Sequence, residues 1–154
     1  MGRILDAIID FFEKDSWPYS AVEDRPILKT AYEGKVGQFT CYAQAREEQQ
    51  QFVFYAIFPV RAPLKKLPAV AEFINRANYG MIIGNFEMDY SDGEIRYKTS
   101  ADLEDVTISE PLLRNLVYAN VLTMDRYFSG LMRVLYADVT AEDAINEVEG
   151  GAGR

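Results

Sequence analysis

An α+β fold, with helices packed on an antiparallel sheet in the order α-β-β-β-α-β-β-α, is predicted by three features of the sequence. Ile4, Leu5, Ile8, Phe11 and Phe12 recur at helical spacing, with Asp6, Asp10 and Glu13 on the opposite side. The stretch 38–46 alternates: Phe39, Cys41, Ala43 and Ala45 point one way, Gln38, Thr40, Tyr42, Gln44 and Arg46 the other. Asp92-Gly93, a strong turn signal, lies between two further alternating segments.

The first helix is expected over 3–15, with Pro18 just beyond its end. An irregular segment, 17–26, leads into strands near 27–32, 36–46 and 51–58, with turns at Glu33-Gly34-Lys35 and at 47–50. The third of these strands is apolar on both faces. Phe52, Phe54, Ala56 and Phe58 share one parity, and Val53, Tyr55 and Ile57 the other. Such a strand is central in its sheet, or its second face is covered by something else. Pro59 and Pro63 end the run. Pro68 suits the first turn of a second helix, whose buried stripe is Val70, Phe73, Ile74 and Ala77. Gly80 is placed to be its left-handed cap residue.

If Asp92-Gly93 forms the whole loop, counting outward fixes the hairpin register. Tyr90 then faces Ile95, Met88 faces Tyr97 and Phe86 faces Thr99; on the other face Asp89 meets Arg96 and Glu87 meets Lys98. Ser109 is a good N-cap for a long third helix, with Ile108 and Leu113 spaced as a hydrophobic staple and Pro111 tolerated in the first turn. Its apolar stripe runs from Leu113 to Leu135 and is widened by Tyr118, Leu122 and Tyr127, more than one sheet is expected to cover. Thr140 caps a last short helix, Ala141–Glu149. One domain is thus expected over 1–149, and a frayed tail over 150–154.

The formal charge of −8 sets the surface against nucleic-acid phosphates and anionic lipid, so neither partner is expected. The one compact basic cluster, Arg61, Lys65 and Lys66, reads as a solvated loop. No stretch is long and apolar enough to span a membrane, and Asp6 and Asp10 spoil any secretory leader. Cys41 is the lone cysteine, so no internal disulfide forms; it reads as a small core residue in a cytoplasmic protein. Histidine is absent, which removes the commonest general base and metal ligand. Asp89 and Asp92 do not have the spacing of a calcium loop, and Gly80, Gly84 and Gly93 do not form a phosphate loop. No cofactor, metal site or catalytic residue is expected.

Two sets of residues remain as candidate sites. Asn75, Asn78, Tyr79 and Asn85 cluster around the turn from second helix to fourth strand and could line a small-ligand pocket, although local capping and turn bonding explain the asparagines better. Val53, Tyr55, Ile57, Tyr118, Leu122 and Tyr127 are apolar positions that the predicted core does not need, and so are candidates for binding protein.

The runs Asn75-Arg76-Ala77-Asn78-Tyr79-Gly80, Gly84-Asn85-Phe86-Glu87-Met88-Asp89 and Asp92-Gly93-Glu94-Ile95-Arg96-Tyr97, with Asn120-Val121-Leu122-Thr123-Met124-Asp125-Arg126-Tyr127, resemble the YbjN family of bacterial proteins. The likeness covers roughly 17–135. It implies a fold similar to type III secretion chaperones, and a role in sensory transduction or stress response with no established catalytic residues to carry over. A shared fold does not fix a function. The leading expectation is a non-enzymatic protein-binding or chaperone-like regulatory module, homodimeric and able to bind another protein; a small-molecule sensor is the alternative, and a carboxylate-dependent enzyme the remotest.

Overall fold

The computed structural model describes residues 2–150, in which a six-stranded antiparallel sheet carries its helices on one face. The chain runs α1 (Arg3–Lys14), β1 (Ser20–Ala21), β2 (Ile27–Glu33), β3 (Gln38–Arg46), β4 (Gln51–Ile57), α2 (Leu67–Asn78), β5 (Asn85–Met88), β6 (Ile95–Asp102), α3 (Glu110–Tyr136) and α4 (Ala141–Glu149). Strand order across the sheet is β1-β2-β3-β4-β6-β5. The expected tail, 150–154, lies outside the described residues except for Gly150. No helix among the described residues is long and apolar enough to cross a membrane.

Alternation in β3 decides which face is buried. Phe39, Cys41, Ala43 and Ala45 are enclosed, and register carries the same face to Phe52, Phe54 and Ala56 of β4 and to Tyr97 and Thr99 of β6. α1, α2 and α3 pack on that face, and α4 lies across α2 and α3. Each large apolar side chain so enclosed contributes about 1.5–3 kcal/mol. β4 is central, between β3 and β6, as its two apolar faces suggest.

Helix ends follow the sequence closely. Ser109 Oγ accepts the Leu112 N–H, and Thr140 Oγ1 accepts the Asp143 N–H. Gly80 takes φ +87° just past Tyr79, the C-cap of α2. The segment expected to be irregular contains the two-residue edge strand β1, too short to show alternation.

The β5–β6 hairpin corrects the expected register. Met88 faces Ile95, Glu87 faces Arg96, Phe86 faces Tyr97 and Asn85 faces Lys98. The loop is longer than Asp92-Gly93: Asp89 N–H donates to Glu94 O (2.9 Å), leaving the four residues 90–93 outside the pairing. The Asp89 carboxylate fills that loop, accepting the Ser91 N–H and hydroxyl at 2.8 and 2.6 Å, and Asp92 accepts the Glu94 N–H. These bonds hold the Asp89 carboxyl below the usual carboxylate range. A shift of two residues leaves every side chain on its expected face, so Phe86, Ile95 and Tyr97 are still enclosed. Gly93 then has two duties. It adopts φ +78°, and its carbonyl accepts the Ala62 N–H at such close approach that a Cβ would lie 2.1 Å from the Ala62 oxygen. Arg61 and Lys66 of the basic cluster pair with Asp92 and Asp138.

Candidate functional site

The sheet face turned away from the helices is where β4 places its second apolar set. Adjacent strands align Lys29, Tyr42, Tyr55, Lys98 and Asn85 in one row across the sheet, and Ala31, Thr40, Ile57, Arg96 and Glu87 in the next. Tyr42, Tyr55 and Ile57 are half-buried by their neighbours alone. Val53 is only 8% exposed, because Gln44, Arg46, Gln51, Tyr55, Lys98 and Ser100 stand round it and enclose a hollow of about 300 Å³.

Charge on this face is organised around Tyr55 and Glu87. The Arg96 guanidinium lies 4.1 Å from the centre of the Tyr55 ring, a cation–π contact. Glu87 accepts from Arg96 Nε at 2.6 Å and from Lys98 Nζ at 3.2 Å. Partial burial alone would raise its pKa, but hydrogen bonds and charge from Arg96 and Lys98 outweigh it and hold the carboxyl below its ordinary value. The expected Asp89–Arg96 pair is thus replaced by one carboxylate shared between two cations. Lys29 and Arg46 make no ion pair among the described residues; Arg46 Nε donates only to Gln51 Oε1 at 3.0 Å.

The α3 candidates fare differently. Tyr127 is enclosed, with its ring edge-on to Phe73 and Phe86 and its hydroxyl donating to Glu149 Oε2 at 2.5 Å. It is a core residue rather than a surface one, because α4 folds over the part of the stripe that a sheet alone would leave bare. Tyr118 is half-buried beside Trp17, its ring 5.8 Å away, and its hydroxyl donates to Asp15 Oδ2 at 2.5 Å. Burial and that carboxylate both raise the Tyr118 pKa. Leu122 alone of the three is open, at 53% exposure. The wide stripe is therefore mostly sheltered within the chain.

The asparagine cluster does not converge on a pocket. Asn78 Oδ1 accepts the Phe86 N–H at 2.7 Å while its Nδ2 donates to the Phe86 carbonyl at 3.0 Å. One carboxamide thus pairs with the outer edge of β5 as a neighbouring strand would. Asn85 Nδ2 also donates to the Phe86 carbonyl, at 3.2 Å, and Asn75 is exposed. A hollow of about 600 Å³ lies nearby, lined by Met81, Ile83, Tyr97, Thr123 and Arg126 among others; of the four candidates only Tyr79 reaches it.

Two features escaped the sequence reading. Asn120 is fully buried, with Nδ2 donating to the Phe54 and Tyr97 carbonyls at 2.9 and 3.1 Å and to Thr99 Oγ1 at 3.3 Å. It ties α3 to the two central strands, and a single polar residue inside an apolar stripe gave no hint of this. The cations of the open face lie on three strands, β2, β3 and β6, and register brings Lys29 and Arg46 onto one surface with Arg96 and Lys98.

Cys41 is enclosed, and burial pushes its thiol well above the usual range, which leaves it protonated and inert. Among the described residues, no group of His, Cys, Asp and Glu could hold a metal ion.

Comparison with solved structures places the fold. YbjN from E. coli superposes with a TM-score of 0.60 at 9% identity, over 87% of this chain and 90% of that one. A chain of the HopA1–SchA chaperone–effector complex superposes with a TM-score of 0.50 at 17% identity, over 77% of this chain and 87% of that one. Both likenesses concern the fold alone. No curated protein sequence matches. Residues 5–132 match the family described as "YbjN: Putative bacterial sensory transduction regulator", so the chain belongs to the YbjN family.

Proposed function

We propose that this chain is a non-enzymatic regulatory module that holds a protein partner on the open face of its sheet. The observation that carries this is the placement of Tyr42, Tyr55 and Ile57 on the face opposite the helices, where Tyr55 and Val53 line a hollow and Tyr42 stands beside Tyr55. Tyrosines of this kind are rigid amphipathic anchors, suited to binding without large entropic cost. Two further facts support the proposed role. The family is described as regulatory, and a similar fold occurs in a chaperone–effector complex. A homodimer would use the same surface or leave it free for another protein, and light scattering distinguishes these. The lone buried cysteine suits a reducing compartment such as the cytoplasm.

Co-purification from the native host tests the role. The wild-type chain and an Asn146→Glu control, altered on α4, are expected to retain the same proteins. The double variant Tyr42→Glu, Tyr55→Glu should lose them while keeping its circular dichroism spectrum. Identical sets from all three would refute a role for this face.

A further inference from the structure

The open face differs in charge from the rest of the molecule. Its strands carry four cations, Lys29, Arg46, Arg96 and Lys98, against three carboxylates, Glu33, Glu87 and Asp102, and Arg61 and Glu94 add one of each beside Ala31, Thr40 and Ile57, on a chain of net charge −8. Glu87 is already shared by Arg96 and Lys98, and Lys29 and Arg46 have no ion pair among the described residues. The cations therefore hold unspent charge beside the tyrosines. Arg46 and Lys98 line the Val53 hollow together with the amides of Gln44 and Gln51 and the hydroxyl of Ser100. Asp102 stands at the same hollow, where its carboxylate accepts the Glu104 N–H at 3.0 Å.

We propose that this face binds an extended acidic peptide segment, with one carboxylate seated in the hollow lined by Arg46 and Lys98 and an adjoining apolar side chain on Tyr55 and Tyr42. The inference rests on the proposed role and names the chemistry of the partner. A carboxylate suits the site because guanidinium and amide donors can satisfy its oxygens once water is displaced. Alternate residues of an extended peptide point the same way, so a pattern of acidic and apolar residues two apart fits the spacing of the rows. Tyrosines flanked by cations on a sheet are also a stacking platform for single-stranded nucleic acid. A polyphosphate strand, however, carries a charge on every nucleotide and meets the field of the whole acidic chain, which repels it. A short segment meets chiefly the local charge, since the field of distant groups is screened within about 8 Å at physiological salt.

Fluorescence anisotropy on the full chain tests this with four labelled probes. Three are ten-residue peptides with leucine at every fourth position and glutamate, glutamine or lysine two residues after each leucine; the fourth is a single-stranded oligothymidylate. The glutamate peptide is expected to bind at least about tenfold more tightly than the glutamine peptide, equivalent to about 1.4 kcal/mol. The lysine peptide and the oligothymidylate should show no saturable binding. Lys29→Glu and Arg46→Glu, both at exposed positions, should each remove that preference without changing the thermal midpoint. Equal binding of the glutamate and glutamine peptides, binding of the oligothymidylate at least as tight, or no binding by any probe would overturn the inference. If partners still co-purify through Tyr42 and Tyr55 after such a result, the proposed role stands and only the acidic chemistry falls.

Discussion

Asn120 shows how much one side chain can carry. Its Nδ2 serves carbonyls on both central strands, while Oδ1 has no hydrogen-bond partner. Asn120→Ala should cost about 2–4 kcal/mol in urea unfolding, from the lost donor and the void. Asn120→Asp should cost more, because a carboxylate would face two carbonyl oxygens with no donor. A smaller loss for Asp than for Ala would show that the site tolerates an acceptor. Cys41 supplies a second check at this scale. Its enclosed thiol should resist aromatic disulfide reagents in the native state and react at the rate of global unfolding. Of the residue-scale expectations, Cys41, Ser109 and Thr140 were legible because each depends on its own strand or helix turn. Tyr127 was not: whether it is core or surface depends on α4, and helical spacing does not say what packs on the far side.

At the scale of elements, turn chemistry and register separate. Asp92-Gly93 correctly marked a turn, and alternation correctly assigned the faces of β5 and β6. Loop length failed, because Asp89 can close a four-residue loop from inside by accepting two Ser91 donors. A local side-chain bond of that kind leaves no trace in the apolar pattern. Gly93→Ala should destabilise by about 2–4 kcal/mol, through the left-handed φ and the approach to Ala62; a neutral result would show that the 59–63 segment yields. The Glu87 cluster has a pH signature. A carboxyl held below its ordinary value adds stability above that value and loses it as pH falls through the lowered one. The advantage of wild type over Glu87→Gln in urea midpoint should therefore shrink as pH drops from about 7 to about 3, through the carboxylate range. An advantage that persists unchanged would mean that the ion pairs do not supply it.

For the whole molecule, the order of helices and strands could be read from the chain, while the open face could not be seen as a surface. Its residues come from five strands, and only their alignment puts Lys29, Tyr42, Tyr55 and Lys98 in one row. The apolar excess assigned to α3 proved smaller than its stripe suggested, since Trp17 and α4 shelter Tyr118 and Tyr127. That assigned to β4 is real but shallow, a tyrosine-lined face rimmed by charge. Asn78 occupies the outward backbone groups of Phe86 on the short β5 edge, which favours the broad face over that edge for a partner.

Site-specific photocrosslinking in the native host tests the central claim most directly. A benzophenone side chain at Tyr55 should give a discrete protein adduct, and one at Asn146 on α4 should not. Equal adducts from both positions, or an adduct from Asn146 alone, would contradict the assignment of the open sheet face as the working surface.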